Sequence, residues 1–151
     1  MALNALVDEG DEVLVPMPTY PMYTAVIARI GAHARYYRTS HRDWLPDVDH
    51  LRSLITDRTR VLVIIDPNNP TGAVYPPHVR RALLDVADEY GLAIVADEVY
   101  GDFFFGAQRA PSIRDLPADV ARPDRVIVVD SASKRWAACG ARLGWFWTRN
   151  Q

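Results

Sequence analysis

The chain has 151 residues, 49% of them hydrophobic and 24% charged, the balance of a soluble globular domain with its own core. Its formal net charge of -2 gives no electrostatic reason to expect nucleic acid or an anionic membrane surface as a partner. One cysteine, Cys139, excludes an internal disulfide, and it shares no metal-ligand spacing with His33, His41, His50 or His78. A cytoplasmic setting and no metal are expected.

The opening residues lack a basic leader, and Asn4 and Asp8 interrupt their apolar run, which argues against a signal peptide or a membrane span. They read as the back half of an amphipathic helix with Ala2, Leu3, Leu6 and Val7 on one face, as if the chain were a piece of something larger. Glu12 to Pro16 then predicts a strand, Tyr20 to Ile30 an amphipathic helix and Ala34 to Arg38 a second strand. Asp47 to Ile55 reads as a short helix after the break at Pro46. Arg60 to Asp66 is an apolar strand. A Pro/Asn/Gly turn follows, then a helix from Pro77 to Tyr90 with proline at its start and Gly91 at its end. Leu92 to Ala96, Arg125 to Asp130 and Leu143 to Thr148 complete the strands, and the proline-containing stretch from Ala110 to Pro123 is the loosest segment. No repeat, low-complexity tract or linker divides the chain. Strands alternating with helices predict an α/β fold, a mostly parallel sheet flanked by helices on both faces.

Ligands of open parallel sheets sit beyond the carboxyl ends of the strands. The strands ending near Pro16, Asp66, Ala96 and Asp130 are followed by Tyr20, by Asn69, by Asp97 with Tyr100, and by Ser131 to Lys134. The chemically loaded residues thus fall on one edge. Of the 17 lysines and arginines only Lys134 is a lysine. Codon bias explains the arginines, but only a primary amine condenses with an aldehyde.

In Ser131-Ala132-Ser133-Lys134, with Arg142 further on, an amine stands beside hydroxyls and a guanidinium that suit an aldehyde bearing a phosphate; a solvated surface loop is the alternative. Asp66-Pro67-Asn68-Asn69-Pro70-Thr71-Gly72 either simply joins strand to helix or aims Asn69 at a bound group. Asp97-Glu98-Val99-Tyr100 is either a capped turn or a buried carboxylate that needs a cation, since Asp97 directly follows the apolar run Leu92 to Ala96. Tyr20, among prolines, is on its own no more than a packing aromatic.

Together these segments resemble the fold-type I, class I and II aminotransferases. They match that family's patterns S-x-S-K followed by G-x-R-x-G, N-P-x-N-P-T-G and D-E-x-Y, in order and at the right spacing, across essentially the whole chain. Trp44-Leu45-Pro46-Asp47 and Val74-Tyr75 are most similar to the alanine (glutamate–pyruvate) transaminases. The resemblance implies that residues 1–151 form part of the large, cofactor-binding domain of a pyridoxal-phosphate-dependent transferase. An upstream segment that helps grip the phosphate would lie before Met1. A small domain, with the arginine for the substrate's α-carboxylate, would follow Gln151. The resemblance also implies a homodimer in the full-length protein. The reaction implied moves an amino group between an L-amino acid, alanine being the best candidate, and a 2-oxo acid such as pyruvate or 2-oxoglutarate.

By the same resemblance Lys134 is the catalytic residue, forming a Schiff base with pyridoxal 5'-phosphate and carrying the proton at the substrate's α carbon. Asp97 pairs with the ring nitrogen, Asn69 and Tyr100 hydrogen-bond the phenolic oxygen, and Tyr20 lies against the ring. Ser131, Ser133 and Arg142 bind the phosphate. One position departs from the pattern: its usual first Asn is Asp66, an extra carboxylate expected near the site. Two other readings are a cofactor-binding regulatory domain without turnover and a truncated, inactive product. The isolated chain is expected to be inactive.

Overall fold

A computed structural model of the chain describes residues 2–106, 109, 111–115 and 123–149. The apolar runs form the strands β1 (Glu12–Met17), β2 (His33–Arg38), β3 (Thr59–Ile65), β4 (Ala93–Asp97), β5 (Val126–Ser131) and β6 (Gly144–Thr148). The helices are α1 (Ala2–Leu6), α2 (Pro21–Ile30), α3 (Val48–Ser53), α4 (Pro77–Glu89) and a single turn, α5 (Ala132–Arg135). Their ends follow local chemistry. Pro21 opens α2 where a missing N–H costs nothing, and Gly31 closes it at φ 83°, a conformation that suits glycine. The Asp47 carboxylate caps α3 by accepting the His50 amide at 2.9 Å. The turn α5 is absent from the sequence reading, because four residues are too few to show a helical period.

The sheet runs β2-β1-β3-β4-β5-β6. The first five strands are parallel, and β6 returns antiparallel to β5 with Ile127 opposite Thr148 and Ser131 opposite Gly144. Successive side chains of a strand point to opposite faces. Val61, Val63 and Ile65 of β3 therefore pack with Leu3, Val7 and Ile27 under α1 and α2. Leu62 and Ile64 pack with Tyr37, Tyr75, Leu83 and Leu84 under α3 and α4. Both faces are covered, which is why β3 reads as an unbroken apolar run rather than an alternating one. Leu83 and Leu84 are at most 1% exposed, and burying each contributes roughly 1.5–3 kcal/mol.

Of the stretch read as loosest, Ala110 to Pro123, residues 110 and 116–122 lie outside the described ones, as does Met1 of the first helix. Residues Ile113–Asp115 form a short 3-10 turn that buries Ile113 in the core. No described helix is long and apolar enough to cross a membrane. The described residues contain no cluster of three or more His, Cys, Asp or Glu able to hold a metal ion. For function, the consequence of the topology is that β1, β3, β4 and β5 end on the same edge of the sheet.

Candidate functional site

At that edge all eight candidate residues line one cavity of about 380 Å³, within the range of small-molecule sites. Tyr20 comes from the loop after β1 and Asn69 from the turn after β3. Asp97 is the last residue of β4, and Tyr100 follows it. Ser131 ends β5, Ser133 and Lys134 ride on α5, and Arg142 follows the turn Cys139–Ala141. The parallel register, Ile65 beside Asp97 and Asp97 beside Val129, places the carboxylate at the centre of the edge.

The turn after β3 is built to project one asparagine. Asn68 is consumed internally: its Oδ1 accepts the Thr71 amide at 3.3 Å and the Thr71 hydroxyl at 2.9 Å, and its carbonyl accepts the Gly72 amide at 2.8 Å. Gly72 takes φ 74°, which favours glycine. Asn69 is left pointing at the cavity, its Nδ2 3.5 Å from the Tyr100 hydroxyl. The Lys134 Nζ stands over the Tyr100 ring, 5.7 Å from its centroid. Arg142 adopts φ 52°, uncommon for a residue with a Cβ, and donates to the Cys139 carbonyl at 3.0 Å. Beside it the Cys139 thiol donates to the Ser133 carbonyl at 3.2 Å.

The lining carries both an acidic and an anion-binding set of groups. Asp97 Oδ2 accepts the Tyr23 hydroxyl at 2.7 Å and Oδ1 accepts the Val99 amide at 3.1 Å, both neutral donors. Burial pushes the Asp97 carboxyl above its ordinary value, these two bonds oppose the rise, and the charge of nearby Asp130 adds to it. The Tyr23 hydroxyl is itself pushed well above the ordinary tyrosine value, by burial first and by Asp97 second. Ser131, Ser133 and Arg142 add hydroxyls and a guanidinium to the lining of the same cavity, suited to an anion. Lys134 carries the primary amine. Such a set fits a flat, protonated pyridine ring bearing an aldehyde and a phosphate. The deciding feature is the Asp97 carboxylate, which has no cationic partner among the described residues.

The family model for class I and II aminotransferases matches residues 1–151. The chain belongs to this family. It is 39% identical over 145 residues to the glutamate-pyruvate aminotransferase AlaA of Escherichia coli, covering 95% of this chain and 35% of that protein. It is 36% identical over 146 residues to the alanine aminotransferase of Mycobacterium bovis, covering 96% of this chain and 33% of that one. A solved aminotransferase structure from Escherichia coli superimposes with a TM-score of 0.90 at 39% identity, over 99% of this chain and 36% of its own. The chain thus spans about a third of the length of the curated relatives it matches.

Within this chain one residue of the site region, Tyr23, escapes the sequence reading, and one expected there, Asp66, lies elsewhere. Tyr23 supports Asp97 from the first turn of α2, 74 positions away. The available signal is its place three residues beyond Tyr20, in a helix whose proline start fixes which way it faces. Asp66, expected as an extra carboxylate near the site, is turned away from it. Its Oδ2 accepts from Arg80 at 2.6 Å and its Oδ1 from the Tyr75 amide at 3.1 Å, so the added charge is matched by a buried guanidinium. Burial pushes the Asp66 carboxyl up, and Arg80 pulls against that.

Proposed function

We propose that these residues form the cofactor-binding centre, part of the large domain, of a pyridoxal-phosphate-dependent aminotransferase. It would act on an L-amino acid, with alanine as the leading donor, and on a 2-oxo acid such as pyruvate or 2-oxoglutarate. The observation that carries this reading is the convergence, in a single cavity, of the chain's one lysine and a carboxylate that has no cationic partner among the described residues. The relatives described above support the substrate class. The intact protein is read as a homodimer, the expectation the family resemblance carries, and as cytoplasmic, the expectation drawn from its single cysteine.

Asp97 would hold a proton on the cofactor's ring nitrogen, and the ion pair would draw the Asp97 pKa back down. Tyr23 would orient that carboxylate. Ser131, Ser133 and Arg142 would bind the phosphate, with the planar guanidinium offering paired donors. Tyr20 would lie against the ring, and Asn69 and Tyr100 would donate to its phenolic oxygen. Lys134 would anchor the cofactor covalently and then carry a proton to and from the substrate's α carbon, the role of a general acid–base. Bound there, the cofactor supplies the electron sink for that proton's removal.

The test is direct. Pyridoxal 5'-phosphate is added to the purified protein, the visible absorbance is recorded, and borohydride reduction followed by peptide mapping locates the label. The expected result is a visible band with the label on Lys134, both lost in Lys134→Ala. A folded protein with no band, or with its label elsewhere, would end this reading.

A further inference from the structure

Beneath the cofactor cavity a second group of charges is fully internal. Arg80 of α4 is 3% exposed and Asp66 at the end of β3 is 7% exposed. The Arg80 Nε and Nη2 both reach Asp66 Oδ2 at 2.6 Å. The remaining Nη1 donates to the carbonyl of Pro111. Two residues on, the Ile113 amide donates to Glu98 Oε1 at 2.7 Å, and Glu98 lies two residues before Tyr100. The cavity lined by Asp66, Arg80, Glu98 and Ile113 has a volume of about 10 Å³, too small for any ligand larger than water. This cluster is therefore not a binding site of its own.

What it joins is the two sides of the site above. Asp66 starts the turn that presents Asn69, and its Oδ1 closes that turn by holding the Tyr75 amide. The Pro111 and Ile113 segment holds Glu98, and with it the start of the segment that presents Tyr100. A buried ion pair is a weak source of stability compared with apolar residues of the same shape, so its presence calls for another account. The first position of the turn departs from the family pattern by taking a carboxylate, and the structure supplies the matching cation on another element.

We propose that Arg80 is a positioning residue for the cofactor site. Gripping Asp66 on one side and the Pro111 carbonyl on the other, it sets the spacing of Asn69 and Tyr100. The proposal rests on the cofactor reading given above. Arg80 touches no cofactor itself; it acts through Asn69.

The experiment is a mutant cycle in the intact protein that carries these residues, read by pyridoxal 5'-phosphate affinity and by the visible circular dichroism of the bound cofactor. All measurements are made where far-ultraviolet circular dichroism shows full folding. Asp66→Asn with Arg80→Leu removes the ion pair as a unit, and Arg114 remains as the cation facing Glu98. Arg80→Lys keeps the charge but replaces the planar fork with a single ammonium, a second variant that retains the fold. Each is expected to weaken cofactor binding roughly tenfold and to change the visible signal, yet to cost less than about twofold in an Asn69→Ala background. Wild-type affinity and signal in both variants, with only a lower melting temperature, would overturn the proposal. So would an equal loss with and without Asn69. If the unmodified protein shows no visible band, it is the cofactor reading that has failed, and the proposal falls with it.

Discussion

Tyr23→Phe isolates the bond that restrains Asp97. The Tyr23 hydroxyl donates to Asp97 Oδ2 at 2.7 Å, and the variant leaves only the Val99 amide on that carboxylate. Burial already pushes the Asp97 carboxyl up, and the Tyr23 bond is the larger of the two that oppose it. Without it the group ionises only at higher pH, and pairing with a protonated ring nitrogen needs the ionised form. A hydrogen bond to a charged group contributes about 1.5–3 kcal/mol, and the partial exposure of Asp97 favours the lower figure, a tenfold change in affinity. The loss of cofactor affinity should appear at acid pH and vanish at alkaline pH, where Asp97 is ionised with or without its partner.

Stability of the cofactor-free protein runs the opposite way. A carboxylate whose folded pKa is raised contributes stability at low pH that is lost as pH rises through the folded value. Tyr23→Phe enlarges that loss, so its melting temperature falls furthest on the alkaline side. Visible titration with pyridoxal 5'-phosphate across pH, paired with thermal melts of the cofactor-free protein, reads both trends. An affinity loss of equal size at every pH would refute the argument, because Tyr23 would then act by packing and not through the charge on Asp97.

Two further outcomes follow from the core and from the buried acids. Leu83→Ala, at a fully buried position of α4, should destabilise the fold by about 2–5 kcal/mol in chemical denaturation while leaving cofactor affinity unchanged in the folded protein. Glu98→Gln keeps an acceptor for the Ile113 amide but removes a charge whose pKa burial has raised. Below the ordinary, unfolded-state pKa of a glutamate the two proteins should be equally stable. The variant should gain progressively as pH rises from there to the raised folded pKa of Glu98, by on the order of 1 kcal/mol once above it, measured by denaturation at acid and alkaline pH.

The sequence was legible wherever a signal is local. Continuous apolar runs such as Val61 to Ile65 announce strands covered on both faces, and Pro21, Gly31 and Pro77 mark helix ends through backbone constraints of their own. Most of the candidate residues were legible for a related reason. Tyr20, Asn69, Asp97, Tyr100, Ser131, Ser133 and Lys134 lie at or within a few residues of a strand end, so the parallel sheet brings them to one cavity, whereas Arg142 reaches it from the turn before β6. Pairings across elements were not legible. Tyr23 meets Asp97, and Arg80 meets Asp66 and Pro111, only once the crossovers have brought their elements together. In sequence Arg80 is one of two adjacent arginines on an amphipathic helix, and nothing local distinguishes it from exposed Arg81.

The treatment of the buried acids then argues for what the cavity is built to hold. Asp66 faces Arg80, Asp130 faces Arg135 at 2.6 Å, and Glu98 lies in the field of Arg114 and Arg80. Arg135 in turn bridges to Asp102 at 2.8 Å, which pins the helical turn carrying Lys134. Each of these carboxylates has a guanidinium nearby, as the cost of burying a charge requires. Asp97 is as central as any of them, yet among the described residues it receives only a hydroxyl and an amide. A chain so rich in arginine does not lack cations to place there. Leaving that position to neutral donors keeps the carboxylate oriented without a countercharge among the described residues, and under the proposed function the cofactor would bring one. The proposed cofactor would bring a cation to Asp97, an anion to Arg142 and an aldehyde to Lys134, and so would complete the electrostatics of the cavity at all three points.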